Sequence, residues 1–401
     1  MANAIRRAVL ASLVVVAVGS PAAGTSRAES SPQAVSSEQL LTPVTQSVVS
    51  RPRWYPGDDG RVHMQYELLL TNTVPLSIDV TALEVRGGSG RRIEALSGER
   101  LEAAMTLLGS EAEPTTELPA ATVGVVWVDL SFASRRGVPR HVKHRLTIDA
   151  GPGLQLGPTI TDTGGRATVA RRGPVAIGPP LLGGRWVGVG GPQGPHRRAL
   201  QAVNGHLRLG QRFAVDFAAR LDAQGRTHIG SPDENLSYFN YGEPVVAVGG
   251  GKVVEAVDRL PDQIPNHNVP IPLSDADGNH VILKLDRRVF AAYGHMKPGS
   301  VRVERGDRVR KGEVLGKLGN SGESTGPHLH FQLMNRLSFL DADGVPFVFD
   351  RFRLDGHIPS LEEFLDADRD GTLMPIDPAE AGERRRRGIT GLEVVTFRGH
   401  R

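Results

Sequence analysis

Short runs of alternating apolar and polar residues, separated by glycine and proline, occur along most of this 401-residue sequence. Examples are 63–70, 125–132 and 212–217, where the apolar side chains fall on one face of an extended strand. The 48 glycines and 28 prolines suit a protein rich in turns better than a helical one. We therefore predict an all-β protein, with a small N-terminal β-sandwich-like domain followed by an antiparallel β-sheet domain.

Changes in composition divide the sequence into six segments. We interpret them in order as a signal peptide (1–30), a flexible leader (31–50), a β-sandwich-like accessory domain (51–150), a linker rich in glycine and proline (151–195), the second sheet domain (196–345) and a C-terminal extension (346–401). The signal peptide is predicted from Arg6 and Arg7, the apolar run after them and the small residues that follow. We expect the protein to be exported, to the periplasm or the medium.

Charge and cysteine content exclude several classes of partner. The net charge is only +3 and no basic groove interleaved with aromatic residues stands out, so nucleic acid is not expected as a partner. The chain has no cysteine, hence neither a disulfide nor a lipoprotein attachment site. No apolar run after the signal peptide reaches membrane length, so we expect no stable membrane anchor.

Residues 316–333 combine a glycine- and serine-rich turn region with a strand that carries two histidines. His328 and His330 are two residues apart, so they face the same way with about 7 Å between their Cα atoms. Two histidines on a strand are, taken alone, more often solvated polar residues than a site. The run Gly-Asn-Ser-Gly-x-Ser-Thr-Gly-Pro-His-Leu-His-Phe at 319–331, however, resembles the signature of the lysostaphin-like (LytM-type) zinc metallopeptidases.

The resemblance extends over about 196–335 and implies an antiparallel β-sheet metallopeptidase domain with zinc as its cofactor. It implies that Asp216 and His330 bind the metal and that His328 and His295 are catalytic. A neutral imidazole can take a proton from water, and its protonated form can stabilise a tetrahedral oxyanion. The implied activity is an endopeptidase that cuts peptidoglycan cross-links or another extracellular peptide. The alternative is a catalytically degenerate module that binds the cell wall or regulates a cell-wall amidase.

One position departs from the family pattern. The family's first motif is His-x-x-x-Asp, but Arg212 stands four residues before Asp216. An arginine stays protonated and cannot serve as an ordinary zinc ligand. The site has therefore either recruited another histidine or lost its metal.

We predict that His196 supplies the missing ligand, with His228 as the weaker candidate. In a hairpin that turns at Asn204-Gly205, His196 would lie opposite Ala214 if paired positions sum to 410. A strict two-residue turn gives a sum of 409 and turns His196 to the other face, so this register requires a bulge or a three-residue loop. The alternative is that His196 is a polar surface residue.

Two further groups of residues are candidates for binding. Two long loops, 222–241 and 258–278, interrupt the second domain, and loops of this length are often functional. We predict Tyr238, Tyr241 and Asn320 as substrate-groove residues, with loop packing as the alternative.

The aspartates at alternate positions before Gly371 resemble a calcium loop, which predicts calcium at Asp366, Asp368 and Asp370. The twelfth position of that loop is Asp377, where a glutamate is usual. An acidic turn without a bound ion is the alternative.

Overall fold

The computed structural model describes residues 41–151, 159–191, 194–267 and 269–398. The predicted signal peptide and most of the predicted leader lie outside the described residues. Within them, strands dominate and only two α-helices occur, so the predicted all-β class is confirmed. No helix among these residues has the length and apolar character needed to cross a membrane.

Two antiparallel sheets form the N-terminal domain. The first contains β1 (Val44–Val48), β2 (Arg53–Pro56), β3 (Val62–Asn72), β6 (Met105–Leu107), β7 (Ser110–Pro114) and β9 (Val123–Phe132), and the second contains β4 (Ile78–Gly87), β5 (Arg92–Ser97), β8 (Glu117–Leu118), β10 (His141–Asp149) and β11 (Thr159–Thr168). A short helix, α1 (Glu99–Ala103), follows β5. Side chains from both sheets share one apolar core, which is the predicted sandwich.

The sandwich begins earlier and ends later than its predicted limits. β1 lies inside the segment predicted as a flexible leader, where it pairs with β3 and buries Val44. Ordered backbone hydrogen bonds and an apolar contact with the core give this part of the leader a fixed conformation. β11 lies in the predicted linker and pairs with β10.

A second set of strands forms the C-terminal domain. They are β12 (Val175–Ile177), β13 (Gly183–Val189), β14 (Gln201–Val203), β15 (His206–Arg208), β16 (Val215–Arg220), β17 (Pro244–Val246), β18 (Gly251–Val257), β19 (Asn279–Asp286), β20 (Val289–Met296), β21 (Arg308–Val309), β22 (Val314–Lys317), β23 (Leu329–Met334), β24 (Phe347–His357), β25 (Gly382–Arg387) and β26 (Leu392–Phe397), with α2 (Leu361–Asp370) between β24 and β25. The main sheet has eleven strands in the order β12-β24-β26-β13-β16-β23-β20-β19-β18-β21, with β25 paired to β24.

This sheet crosses two of the predicted domain boundaries. β13 comes from the predicted linker, and β24 and β26 come from the predicted C-terminal extension, yet they continue the sheet from β16. Trp186 on β13 and Phe397 on β26 are fully buried in the same core as Phe217 and Phe331. The division into domains stays a prediction, whereas the sheet itself extends from β12 to β26.

The predicted calcium loop is instead the helix α2. Ser360 caps its start by accepting a hydrogen bond from the Glu363 backbone N–H, and Gly371 ends it in the left-handed conformation. Arg369 pairs with the carboxylates of Asp366 and Asp370 along the helix surface. Side chains spaced two residues apart on a helix point in different directions, so the three aspartates do not converge on an ion.

A buried ionic network joins the two domains. The Glu67 carboxylate on β3 accepts hydrogen bonds from Nη1 of Arg197 (2.7 Å) and Nε of Arg212 (2.9 Å), and Arg197 also donates to Asp129 (3.0 Å). Glu67, Arg197 and Arg212 are all buried. Burial alone would raise the pKa of Glu67, but the two guanidinium groups hold it below its ordinary value. The carboxylate is therefore charged and shared by two cations of the other domain.

We predict that Glu67→Gln lowers the free energy of unfolding by about 3–5 kcal/mol, because the substitution leaves two buried guanidinium groups without their main counter-charge. Urea denaturation of the full chain measures this. Glu94→Gln is the matched control, because Glu94 pairs with Arg100 at the surface of the same domain, where the loss should be slight. A Glu67→Gln protein as stable as the control would contradict the role of the network.

Candidate active site

The strand register of β16 and β23 brings a carboxylate and an imidazole together. Asp216 and His330 are direct partners in the antiparallel ladder, so their side chains leave the sheet side by side. His330 Nδ1 lies 2.9 Å from Asp216 Oδ1. Leu329 and Phe331 point to the opposite face and are fully buried in the core, as the alternation of the sequence predicts.

His196 reaches the same carboxylate from the other side. Its Nε2 lies 2.8 Å from Asp216 Oδ2, and its ring meets the His330 ring edge to face at a centroid distance of 4.6 Å. One donor atom from each of His196, Asp216 and His330 lies within 4.8 Å of the others. The structure thus brings together the three residues that were predicted as metal ligands.

The route by which His196 arrives differs from the prediction. The Asn204-Gly205 turn is a strict two-residue hairpin with paired positions summing to 409, and its strands β14 and β15 end at 201 and 208. The predicted register of 410 is therefore wrong, and His196 lies outside the hairpin. It belongs to the 3₁₀ turn Pro195–Arg198 that follows β13.

β13 explains how the turn returns to Asp216. Its last residue, Val189, is the ladder partner of Asp216, so the chain leaves the sheet beside that carboxylate. Gly191 then takes a left-handed conformation (φ +67°) so close to the Thr390 carbonyl that a Cβ there would collide with it. This tight reversal is what allows the chain to turn back within a few residues.

Arg212 and His228 are not part of the cluster. The Arg212 side chain is directed to Glu67 of the N-terminal domain. His228 is buried in its loop, where Nδ1 lies 3.2 Å from Thr227 Oγ1 and its ring packs on Tyr238. The weaker ligand candidate is therefore engaged elsewhere.

The donor set suits zinc. Catalytic zinc sites have three protein ligands drawn from histidine and carboxylate side chains, and two imidazoles with one carboxylate fit that number and type. Burial would raise the pKa of Asp216, but the imidazoles of His196 and His330 hold it well below its ordinary value. The carboxylate is thus kept charged, the form in which it binds a metal.

Gln332 is a site residue that the sequence interpretation missed. It lies two residues beyond His330 on the same strand face, and its Oε1 accepts a hydrogen bond from His330 Nε2 at 2.9 Å. Because the amide oxygen only accepts, Nε2 carries a proton, and Nδ1 is the nitrogen available to a metal. The signal was present in the sequence, since His328, His330 and Gln332 follow one another at intervals of two.

His295 and His328 form a second pair of imidazoles, with ring centroids 4.5 Å apart, and the His295 ring lies 6.1 Å from that of His330. His295 Nδ1 donates to the Ser321 carbonyl (2.8 Å), and His328 Nδ1 donates to the Gly326 carbonyl (2.9 Å). Carbonyls only accept, so these bonds leave Nε2 of both rings unprotonated while the rings are neutral. Burial lowers the pKa of each, that of His295 further.

The backbone of His295 is unusual. Its φ is +58°, a conformation that is uncommon outside glycine and that concentrates at functional sites. Two backbone hydrogen bonds hold it: His295 N donates to the Asp277 carbonyl (3.0 Å), and Gly319 N donates to the His295 carbonyl (3.1 Å). This turn at the end of β20 directs the ring toward His328.

The predicted groove residues lie in and around the two long loops. Tyr238 is buried and donates to the Pro232 carbonyl, and Asn320 is fully buried and donates to Asn235 Oδ1. These two side chains hold the loops in place, as the loop-packing alternative predicts. Tyr241 is only partly buried and binds Asp262 through its hydroxyl (2.6 Å). Substrate contact by the three stays a prediction.

Comparisons with known proteins agree on one family. The model of Peptidase family M23 matches residues 237–342, which include His295, His328 and His330. The glycyl-glycine endopeptidase ALE-1 of Staphylococcus capitis is 38% identical over 115 residues, 28% of this chain and 27% of the relative. Lysostaphin of Staphylococcus staphylolyticus is 37% identical over 115 residues, 28% of this chain and 20% of the relative.

The match covers only part of each relative, about a quarter or less of its length. Peptidoglycan DD-endopeptidase ShyA of Vibrio cholerae is 36% identical over 59 residues, 15% of this chain and 13% of the relative. Among solved structures, the catalytic domain of lysostaphin from Staphylococcus simulans is 27% identical, with 40% of this chain and 88% of that chain covered at a TM-score of 0.24.

We predict that Gln332→Met weakens zinc binding at this cluster by about 10–100-fold, because loss of the outer hydrogen bond frees the His330 ring to rotate and lowers its basicity. Competition against a chromogenic chelator measures the affinity. Gln201→Met, at an exposed position on β14, is the matched control. Equal zinc affinities in the two variants would show that Gln332 does not support metal binding.

Proposed function

We propose that this chain, whose residues 237–342 belong to the lysostaphin-like (LytM-type) family of M23 peptidases, is an exported zinc metalloendopeptidase that hydrolyses peptide bonds in peptidoglycan cross-links. The observation that carries the proposal is the convergence of His196, Asp216 and His330, with the His295–His328 pair directly beside them. A structural domain has no need of five such side chains around one point.

The three clustered residues would hold the metal. His196 Nε2 lies 2.8 Å from Asp216 Oδ2 and His330 Nδ1 lies 2.9 Å from Asp216 Oδ1, so both imidazole nitrogens are already beside the carboxylate. Zinc bound there would supply a Lewis acid that polarises a peptide carbonyl. Gln332 keeps the His330 ring in the orientation that offers Nδ1.

The His295–His328 pair would move protons. A neutral imidazole with a free Nε2 can accept a proton from the attacking water, and the resulting imidazolium can donate it to the amine that leaves. Burial lowers the pKa of both rings, so both are in the basic form at neutral pH. Because the rings are adjacent, protonating one disfavours protonating the other, so the pair takes up at most one additional proton during the reaction.

The substrate class rests on the relatives. Two of those named above are a glycyl-glycine endopeptidase and a peptidoglycan DD-endopeptidase, so peptides of the bacterial cell wall are the proposed substrate. Export follows from the signal-peptide pattern at 1–30 and would bring the enzyme to that substrate. Tyr241, which is only partly buried and is held in place by Asp262, is the residue proposed to contact the substrate.

His330→Ala should remove one zinc equivalent per chain and abolish cleavage, because it deletes a metal ligand. His328→Ala should keep that zinc and lower the turnover rate by about 10²–10⁴-fold, because its role is in proton transfer. Zinc analysis and digestion of purified peptidoglycan test the pair. A wild-type protein that holds zinc but releases no peptide from any cell-wall preparation would favour the degenerate binding module.

His196→Ala should weaken zinc binding at the cluster more than Gln332→Met does. Loss of a partner that only orients a ligand, such as Gln332, costs about 10–100-fold in affinity, and loss of a ligand costs more. His206→Ala is the matched control, because His206 is exposed at the tip of the β14–β15 hairpin. Zinc titration of both variants after chelation decides the point. Unchanged affinity in His196→Ala would mean that the first ligand lies elsewhere and that its contact with Asp216 is only structural.

A further inference from the structure

A second cluster of metal-ligating side chains lies outside the candidate active site. One donor atom from each of Asp58, His357 and Glu393 lies within 4.8 Å of the other two. His357 Nε2 is 3.9 Å from Asp58 Oδ2. Asp58 belongs to the N-terminal domain, whereas the other two belong to the sheet of the C-terminal domain. No residue of this cluster takes part in the proposed peptidase chemistry.

The strand register explains why the cluster forms. His357, the last residue of β24, is the ladder partner of Glu393 on β26, so the imidazole and the carboxylate leave the sheet together. Asp58 follows β2 and is fixed by backbone contacts with the turn after β25, where Asp58 N donates to the Gly388 carbonyl (3.0 Å). The third side chain is thus held against the cross-strand pair by the other domain.

Three polar atoms of the cluster have no hydrogen-bond partner among the described residues. They are Oδ2 of Asp58, Oε2 of Glu393 and Nε2 of His357. Asp58 is 2% exposed and Glu393 is fully buried. An unpaired carboxylate oxygen in such a place is strongly destabilising if it carries charge, so something must neutralise it.

The remaining carboxylate oxygens are already fixed. The Thr390 hydroxyl donates to Asp58 Oδ1 (2.6 Å), and the Thr390 backbone N–H donates to Glu393 Oε1 (2.9 Å). Thr390 therefore orients both carboxylates and leaves one oxygen of each toward the cluster. Ligating carboxylates in metal sites are held in this way by outer hydrogen bonds.

Among the described residues, no lysine or arginine side chain pairs with either carboxylate. Arg384 comes close to Asp58, but its Nε donates to the backbone carbonyl of Asp58. A bound cation would supply the missing counter-charge.

We propose that Asp58, His357 and Glu393 bind a second divalent cation of the zinc class, which joins the N-terminal domain to the outer part of the C-terminal sheet. One imidazole and two carboxylates are a donor set that zinc takes. Calcium prefers sites built of oxygen ligands alone, so the imidazole selects against it. A surface cleft of about 670 Å³ is lined in part by Asp58 and Glu380.

Glu380 would act as a further ligand. Its Oε2 lies 3.7 Å from His357 Nε2, and more than half of its side chain is exposed, so it can move toward a bound ion. The ion would then have four protein ligands and no open position, as in structural zinc sites. Its contribution would be to the stability of the domain interface, because a metal that binds only the folded state stabilises it.

The test is zinc analysis of the purified full chain after chelator dialysis and reloading with zinc chloride. The wild type should hold about two zinc equivalents per chain, His357→Gln about one, and His330→Ala about one. His206→Gln, with the same exchange at an exposed histidine, should keep both. His357→Gln should also keep the peptidase activity of the wild type, since the cluster lies outside the catalytic machinery.

The two zinc proposals fail in different ways. If the wild type holds one zinc that is lost in His330→Ala and kept in His357→Gln, the second site is overturned and zinc at the candidate active site stands. If the wild type holds one zinc that is kept in His330→Ala and lost in His357→Gln, the second site is supported and zinc at the candidate active site is overturned. As a second readout, zinc should raise the unfolding temperature of His330→Ala but not of His330→Ala/Glu393→Gln. An equal rise in both would show that zinc acts outside this cluster and would overturn the second site.

Discussion

The structure depends on one buried carboxylate, that of Glu67, which the N-terminal domain offers to two arginines of the C-terminal domain. A charge in such a place is tolerated only when it is fully paired, so the two domains must meet in one arrangement for the network to close. Arg197 is the residue after His196, and Asp129 and Glu67 fix its guanidinium from both sides. The accessory domain thereby fixes the turn that carries the proposed first metal ligand.

The same network accounts for the departure from the family motif. A histidine four residues before Asp216 would bind the metal directly; Arg212 in that place is turned away and completes the charge of Glu67. In the proposed site His196 would take that role, and it lies beside Asp216. Arg212 and Arg197, the residue after His196, are both held by Glu67, so one carboxylate fixes both segments.

The sequence predicts this site only as far as local periodicity extends. Alternation along one strand places His328 and His330 on a polar face over a core of Leu329 and Phe331, and the structure keeps that arrangement. The motif at 319–331 also gives the family. It does not show that β13, in a stretch rich in glycine and proline, inserts beside β16, because pairing between distant strands leaves no periodic signal in either. His196 therefore lies beside Asp216 by a route other than the predicted hairpin register.

The four consecutive arginines of β25 lie on a strand at the margin of the sheet, where charged side chains can stay in water while the backbone pairs. That strand leads to Thr390 and Glu393. The Asp58–His357–Glu393 cluster in this outer part of the sheet is arranged like the candidate active site. In each case a histidine and a carboxylate on neighbouring strands, His330 with Asp216 and His357 with Glu393, are met by a third side chain from beyond the ladder. A cross-strand pair of this kind fixes two proposed ligands without the entropy cost of ordering a loop, so only the third has to be positioned.

The N-terminal domain helps to position the third residue in both clusters. It holds Arg197, the residue after His196, and it supplies Asp58 itself. An accessory domain that bears on both clusters is part of the construction of the sites, and its removal would disturb both.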